Sequence, residues 1–455
     1  MKNLLYILMF VTMISVTVSC STEDLEPTLA QEKSVEDSVN KVENLSSILK
    51  GIHSSMTSSG YYGRDIIITN EVRTDNTFSN GNSGRFTTQS QYLYNENSGF
   101  IWNTAYYVIA NANIIINTDL ESLEGDLDLG MHIQGQATVL RALAHFDLLR
   151  VYGQQFAGAG NLGVPIVTTF KGDDLFPARN TIEEVKAAIY NDLETGFAMM
   201  NSDYDNSKVL VSKFVAKALE ARVAVYFGDW NRAVSASEAV IQSGLYSIIP
   251  AESYVSSWAG DGGANVIFEL AANLADNPGI NGLAYIYRAN DDGSGYGDIQ
   301  VKNEVLDIYE DSDVRKGILG YQGDILRNLG KYPDNVNNAD NIVLFRYEEL
   351  ILNYAEALLE TGGDALTQLN KIPANRGAQP YNNATKENIL LERRKELIFE
   401  GFRFDDMLRS GMNMEAMNTQ GNVMKTFSVP NYLFAWPIPV SELNSNSNMV
   451  QNEGY

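Results

Sequence analysis

Cys20 is the only cysteine in a chain of 455 residues. It follows a start in which Lys2 supplies the positive charge and Leu4–Val18 run on without a charge. A basic start, an apolar core and small residues before a cleavage point describe a secretory signal. The apolar run is also shorter than the roughly 18 residues expected of a membrane span. With no second thiol to pair with, Cys20 suits lipid attachment better than a disulfide. Other covalent chemistries find little support. The three histidines, His53, His132 and His145, form no His-x-x-x-His pair, and no Cys-x-x-Cys exists, so the usual zinc sites are excluded. His145 lies inside a helical pattern and His53 at a helix end, poor places for a Ser-His-Asp base. Asp291, Asp292 and Asp298 offer oxygens that suit calcium, but the Asp-x-Asp-x-Asp-Gly spacing is not met. Gly293-x-Gly295-x-Gly297 lacks the strand–helix setting and the lysine of a phosphate loop. Among 57 acidic residues, no pair stands out for glycoside hydrolysis. The sequence therefore predicts no metal, no cofactor and no catalytic residue.

Composition narrows the partners. The chain is 44% hydrophobic and 20% charged, a globular balance. A formal net charge of −24 repels phosphate backbones, which excludes nucleic acid as a natural partner. It equally forbids electrostatic attachment to an anionic membrane, so any membrane association falls to a lipid. The 36 glycines and 24 tyrosines, with many Asn, Ser and Asp, imply long polar loops studded with aromatics.

Helical periodicity supplies the frame that carries these loops. Apolar positions spaced by three and four mark a helix over 35–56, and others follow at about 99–117 and 131–152. Thr181 with Glu184 forms a capping box for a helix reaching about Met199. Helices over 212–227 and 230–242 are split by Gly228-Asp229, so they are antiparallel neighbours. Further helices are expected at 346–360, 364–371 and 386–408. Residues 57–96 are a polar, aromatic loop, with Ile66–Ile68 a short buried piece. Between 247 and 342 helical periodicity weakens, apart from a helix expected at about 303–309, and Val266–Leu270 reads as a small strand. Trp436-Pro437-Ile438-Pro439 is too proline-rich for helix. Small residues at Ala218, Ala221, Ala224 and Gly228 resemble those of tetratricopeptide hairpins, where one helix receives bulky side chains from the next. The expected fold is mainly α: an irregular tetratricopeptide-like helical-hairpin solenoid with a loop-rich inserted subdomain containing short strands. The expected divisions are 1–19 signal, 20–34 lipidated tether, 35–246 helical repeats, 247–342 loop-rich subdomain, and 343–455 C-terminal repeat and closing segment.

Three ordered segments then resemble one family. Gln136–Gly153 is similar to the "E-A-x-x-L-R-A-L-A-Y-F-x-L-x-x-x-Y-G" helix of the SusD/RagB family, with Gln136 where Glu is usual. Glu392–Arg409 is similar to its "E-R-R-x-E-L-x-F-E-G-x-R-W-x-D-L-x-R" helix, with Phe404 in place of Trp. Trp436-Pro437-Ile438-Pro439, Glu442 and Gln451–Tyr455 resemble its "W-P-I-P…E…Q-N-x-G-Y" ending. Thr17–Cys20 resembles a bacterial lipobox, although a larger aliphatic residue is preferred where Thr17 stands. Ser21–Glu26 looks like an acidic export tag of surface lipoproteins. The resemblance implies a lipoprotein anchored through Cys20 to the cell outer membrane and facing the exterior. It would bind a nutrient, an oligosaccharide or in the RagB branch a peptide. It would hand that nutrient to a SusC-like TonB-dependent transporter without catalysis. A secreted hydrolase and a tetratricopeptide scaffold for outer-membrane assembly are the competing readings. The charged side chains Arg141, Arg150, Glu392, Arg393, Glu396, Glu400, Arg403 and Arg409 read as a structural network rather than a site.

Glycan sites combine flat aromatics, which stack on sugar rings, with polar groups that orient hydroxyls. In the family such contacts come from inserted loops. Two segments fit, Arg73–Tyr94 and Tyr285–Tyr296 with Trp258 upstream. The resulting ligand-binding candidates are Arg73, Asp75, Asn76, Phe78, Tyr92, Trp258, Tyr287, Arg288 and Tyr296. The export reading has its own test: deletion of Ser21–Glu26 should leave the lipoprotein facing the periplasm. Unchanged protease accessibility on whole cells would contradict it.

Overall fold

Where apolar residues recur every three or four positions, the chain is helical. The structure, a computed structural model, describes residues 39–170, 174–289 and 295–455. The signal, Cys20, the tether and Asp291 and Asp292 lie outside the described residues. The helices used below are α1 (Val42–Met56), α2 (Asp65–Val72), α3 (Trp102–Ile116), α4 (Leu127–Tyr152), α5 (Ile182–Met199), α6 (Lys213–Phe227) and α7 (Trp230–Gln242). They continue with α8 (Leu283–Tyr287), α9 (Tyr347–Thr361), α10 (Ala365–Leu369), α11 (Lys386–Leu397), α12 (Arg403–Arg409) and α13 (Val440–Ser445). Each main helix packs on its successor, α3 on α4, α4 on α5, α5 on α6 and α6 on α7, after which α7 takes α9. That ladder of hairpins is the tetratricopeptide-like solenoid, interrupted between α7 and α9 by the long insertion.

Local chemistry explains the hairpins. The Thr181 amide and hydroxyl both donate to Glu184 Oε2, at 2.8 and 2.9 Å, and the Glu184 amide donates back to Thr181 Oγ1, so orphan donors at the start of α5 are satisfied. Gly228 adopts φ +75° and closes α6, letting Asp229 cap the next helix within two residues. Gly135 and Gly196 let α4 and α5 touch through backbone: a Cβ on either would come within 2.9 Å of the other's carbonyl oxygen.

The strands are few and short. Among the described residues they form four antiparallel pairs. β1 (Thr77–Ser79) pairs with β3 (Ile299–Val301), and β2 (Val266–Leu270) with β6 (Ile342–Arg346). β4 (Leu319–Gln322) pairs with β5 (Ile325–Asn328), and β7 (Met414–Met417) with β8 (Val423–Phe427). The β1–β3 pair draws together two loops more than 200 positions apart in sequence.

One expected helix is broken. Residues 386–408 form α11 and α12 with a turn between them, where Phe399 takes φ +71° and Gly401 φ +81°. Ile66–Ile68 are buried, as read, but inside α2. The expected helix over 303–309 is a 3₁₀ segment, Asn303–Ile308.

The charged signature residues are core. Glu396 of α11 meets three guanidinium groups, Arg346 at 2.7 Å, Arg376 at 2.8 Å and Arg315 at 3.1 Å. Arg315 also holds Asp313 and Glu392, and Arg346 and Arg376 share Glu348. In the turn after α11, Glu400 pairs with Arg346 at 2.8 Å and with Lys331 at 2.5 Å. Burial alone would push the Glu396 carboxyl up, but Arg376, Arg346 and Arg315 outweigh it and hold the group well below the carboxylate range. The closing segment is equally fixed. Trp436 lies fully buried between Tyr94 (4.1 Å, 9°) and Phe100 (4.5 Å, 21°), and the Asn452 amide donates to the carbonyls of Tyr152 and Trp436.

Removing one partner from a buried ion cluster strands the others without solvent. Glu396→Ala should therefore cost about 3–5 kcal/mol. Chemical denaturation would measure it, and a loss below about 1 kcal/mol would show the cluster to be dispensable.

Candidate ligand-binding site

The β1–β3 pairing decides which parts of the two aromatic loops meet. Thr77 lies opposite Val301, Phe78 opposite Gln300 and Ser79 opposite Ile299. Beyond the strands the pairing continues, with the Asn80 amide donating to Asp298 O at 2.9 Å. The loop over 80–86 is then pinned to its neighbour. Asn80 Nδ2 donates to Gly297 O at 2.9 Å and Asn82 Nδ2 to Tyr296 O at 2.6 Å. Ser83 donates from both amide and hydroxyl to the Asp298 carboxylate, each at 2.7 Å. From behind, buried Arg327 donates to the carbonyls of Gly297 and Ile299, at 2.7 and 3.1 Å.

A half-exposed aromatic and polar patch results. The Arg85 guanidinium lies 3.9 Å from the centre of the Tyr296 ring, and Tyr296 meets Tyr285 edge-on at 5.4 Å. Arg85 also donates to Ser83 Oγ at 2.9 Å. Asn281 Oδ1 accepts from Arg64 at 3.1 Å and lies 3.5 Å from Arg85 Nη2, so one amide oxygen holds two cations side by side. Arg64 is partly neutralised by Asp65 at 2.6 Å. Burial raises the Asp65 pKa, against the opposing pull of Arg64. The patch thus offers two aromatic rings and two guanidinium groups, held by backbone pairing on both sides.

Of the nine sequence candidates, Tyr296 lies in this patch. The other eight sit behind it or away from it. Arg73 is buried with its guanidinium 3.5 Å from the Phe404 ring centre, donating to Asn70 Oδ1 and Thr69 O. Asp75 is ion-paired with Arg403 at 2.7 Å and Arg394 at 3.1 Å. Asn76 is buried and accepts from Arg394. Phe78 is buried against Gly421 of the β7–β8 turn, and buried Tyr92 donates to Arg73 O at 2.7 Å. Tyr287 has no exposed surface, lies parallel to Tyr332 and donates to Phe399 O. Arg288 is spent on the carbonyls of Lys331, Tyr332 and Pro333. Trp258 is half-buried, with Lys331 Nζ 4.5 Å from its ring centre, and covers the ion cluster. As side chains open to a ligand, the six buried candidates Arg73, Asn76, Phe78, Tyr92, Tyr287 and Arg288 are corrected by their burial. Asp75 is committed to two arginines.

Residues of the patch that sequence reasoning did not count among the ligand candidates are Arg64, Asn82, Arg85, Asn281 and Tyr285. Arg85 and Tyr285 fall inside the two segments it chose. Tyr285 and Tyr287 are two apart on a one-turn helix, hence on different faces, and the less buried one is Tyr285. Arg64 and Asn281 meet across 217 positions, which no local pattern signals. His145 is buried with its pKa pushed by burial down to about 3, and His53 likewise to about 4, so neither serves as a base near neutrality. Among the described residues no group of three metal-ligating side chains is placed to hold an ion.

Glu71 of α2 has no exposed surface and accepts from the Gly401 amide at 2.9 Å and from Asn76 Nδ2 at 3.4 Å. Burial raises its pKa to about 7 against those hydrogen bonds. A carboxyl whose folded pKa exceeds its unfolded one leaves stability intact below the unfolded value, here 4.5. Stability is then lost as pH rises through the folded value, by about 3 kcal/mol in full. Relative to wild type, Glu71→Gln should gain unfolding free energy between pH 4 and pH 8. A difference independent of pH would show that Glu71 does not titrate as described.

Two family models match in order along the chain, "Starch-binding associating with outer membrane" over residues 24–225 and "SusD family" over residues 325–455. The starch-binding protein SusD of Bacteroides thetaiotaomicron is 37% identical over 128 residues, 27% of this chain, and the match spans 22% of that protein's length. A SusD-like protein of Formosa agariphila is 25% identical over 430 residues, covering 78% of this chain and 79% of its own. Among solved structures, a putative sugar binding protein from Bacteroides vulgatus superposes with a TM-score of 0.83 at 29% identity, covering 92% of this chain and 99% of its own.

Proposed function

We propose that the chain is a member of the SusD family, whose models match it in two successive stretches, and that it is a cell-surface lipoprotein that captures an oligosaccharide on the patch around Arg85 and Tyr296. It catalyses nothing, in keeping with a family of carbohydrate-binding proteins. The observation that carries the reading is the Arg85 guanidinium over Tyr296, which meets Tyr285 edge-on, with Arg64 beside Arg85 on the Asn281 oxygen, all fixed where β1 meets β3. A tyrosine face offers flat apolar area to the C–H side of a pyranose ring at low entropic cost. A guanidinium presents several donors in a planar fork, which suits neighbouring hydroxyl oxygens. Charge adds a constraint. The chain carries −24 overall, so long-range steering favours neutral over strongly anionic glycans.

The partner and the address follow from the same premise. The lipidated Cys20 holds the protein on the outer membrane, the acidic tether takes it to the exterior, and a SusC-like TonB-dependent transporter receives the sugar. The family description "Starch-binding associating with outer membrane" supports the membrane part of this reading. Among the described residues no helix is long and apolar enough to cross a membrane.

Calorimetry of the mature protein against neutral oligosaccharides, acidic glycans and short peptides tests the reading. Neutral sugar should bind without product. Arg85→Ala and Tyr296→Ala should each weaken binding tenfold or more, about 1.4 kcal/mol. Both side chains are only half-buried and lie outside the core, so the melting temperature should stay within about a degree or two. Binding confined to peptides, or unaffected by either variant, would overturn the glycan assignment.

A further inference from the structure

A second aromatic recess lies on the helical frame and shares no residue with the patch above. It is a groove of about 390 Å³, within the range of small-ligand sites. Trp102, Tyr106 and Tyr107 of α3 line it, and Leu175 faces them from the segment before α5. Trp102 is buried, whereas Tyr107 is 56% and Leu175 66% exposed, so the recess has an apolar floor and an open aromatic lip.

Its walls are held by hydrogen bonds on both sides. The Tyr106 hydroxyl donates to Pro165 O at 3.0 Å, and Asn113 Nδ2 to Val167 O at 3.0 Å, tying the extended segment over 165–168 to α3. Across the groove, Asn446 Nδ2 donates to Pro177 O at 2.9 Å and Asn448 Nδ2 to Phe176 O at 2.8 Å. The segment carrying Leu175 is thereby moored to the chain just after α13. Glu442 of α13 reaches the groove from that side.

Its polar rim selects the occupant. Among the described residues Asp174, Glu442, Asn103 and Thr169 line it, and no lysine or arginine does. Two carboxylates are acceptors only, so they take hydroxyl donors and repel carboxylate or sulfate groups. An aromatic lip with an acceptor-rich rim fits the ring of an uncharged sugar.

We propose that this groove is a second carbohydrate subsite, taking one or two residues of a neutral glycan. The proposal rests on the glycan-binding reading of the family and adds a site to it. A chain held at two points dissociates more slowly than from either alone, so the subsite would favour polymers over short oligosaccharides.

Affinity electrophoresis of the whole mature protein in gels containing amylopectin, xyloglucan or galactomannan tests it. The wild type should be retarded by at least one. Tyr107→Ala and Asn103→Ala, both at exposed positions, should weaken that retardation by about tenfold or less. The Arg85→Ala, Tyr296→Ala double variant should keep a residue of it, which Tyr107→Ala then abolishes. If the double variant loses all retardation while Tyr107→Ala and Asn103→Ala change nothing, the groove is no subsite and the first site stands alone. If no polysaccharide retards the wild type, both readings fall. Displacement of the bound polysaccharide by tetralysine would identify the carboxylate rim as a basic-peptide site and overturn the sugar assignment.

Discussion

Everything in the inserted region hangs on one carboxylate. Glu396 sits without solvent among Arg315, Arg346 and Arg376, and each of those cations arrives from a different part of the chain. Arg315 lies in a 3₁₀ turn, Arg346 ends β6, and Arg376 follows α10. A buried guanidinium without a partner costs several kcal/mol, so none of these segments can slip relative to α11 without leaving a charge uncompensated. Aliphatic residues of equal volume would fill the space, but they would accept many registers. The charges accept few.

The constraint propagates to the ligand patch through short steps. Glu400 holds Lys331, whose backbone carbonyl, with those of Tyr332 and Pro333, receives the Arg288 guanidinium. Arg288 ends α8, and Tyr285 stands on that same turn. The Tyr285 carbonyl in turn accepts from the Tyr296 and Gly297 amides. Four of the buried side chains expected to touch ligand, Arg73, Asn76, Tyr287 and Arg288, belong to the layer that links the patch to the frame. Their polarity is used on backbone carbonyls and on neighbouring side chains.

The helices were legible because their signals are local. The capping box at Thr181 and Glu184, the stop at Gly228 and the three-and-four spacing of α1 lie within a few residues of the structure they specify. The break between α11 and α12 was not legible. The spacing of Glu392, Glu396 and Glu400 continues as if the helix did, and no proline interrupts it. What stops the helix is tertiary: the Gly401 amide donates to Glu71, and the left-handed turn there also delivers Glu400 to Arg346 and Lys331. The ligand patch was half legible. Composition marks the loops over 73–94 and 285–296, but an aromatic beside an arginine looks the same whether it faces solvent or core. Tyr285 against Tyr287 is decided by one turn of helix, and Arg64 against Asn281 by contact across 217 positions.

The two recesses differ in a way that follows from their supports. The patch at Arg85 is built on loops, and its cations face each other across a single amide oxygen, a geometry that lasts only while the β1–β3 pairing lasts. The groove at Tyr107 is built on a helix of fifteen residues, and its carboxylates come from segments moored by asparagine side chains. Donors crowd the first and acceptors the second. A polymer of neutral sugars offers hydroxyls that serve as either, so one such chain satisfies both surfaces, whereas an anionic polymer is attracted at Arg64 and Arg85 and repelled at Asp174 and Glu442. The two rigidly supported rims therefore differ in polarity, and a charged polymer that suits one is opposed at the other.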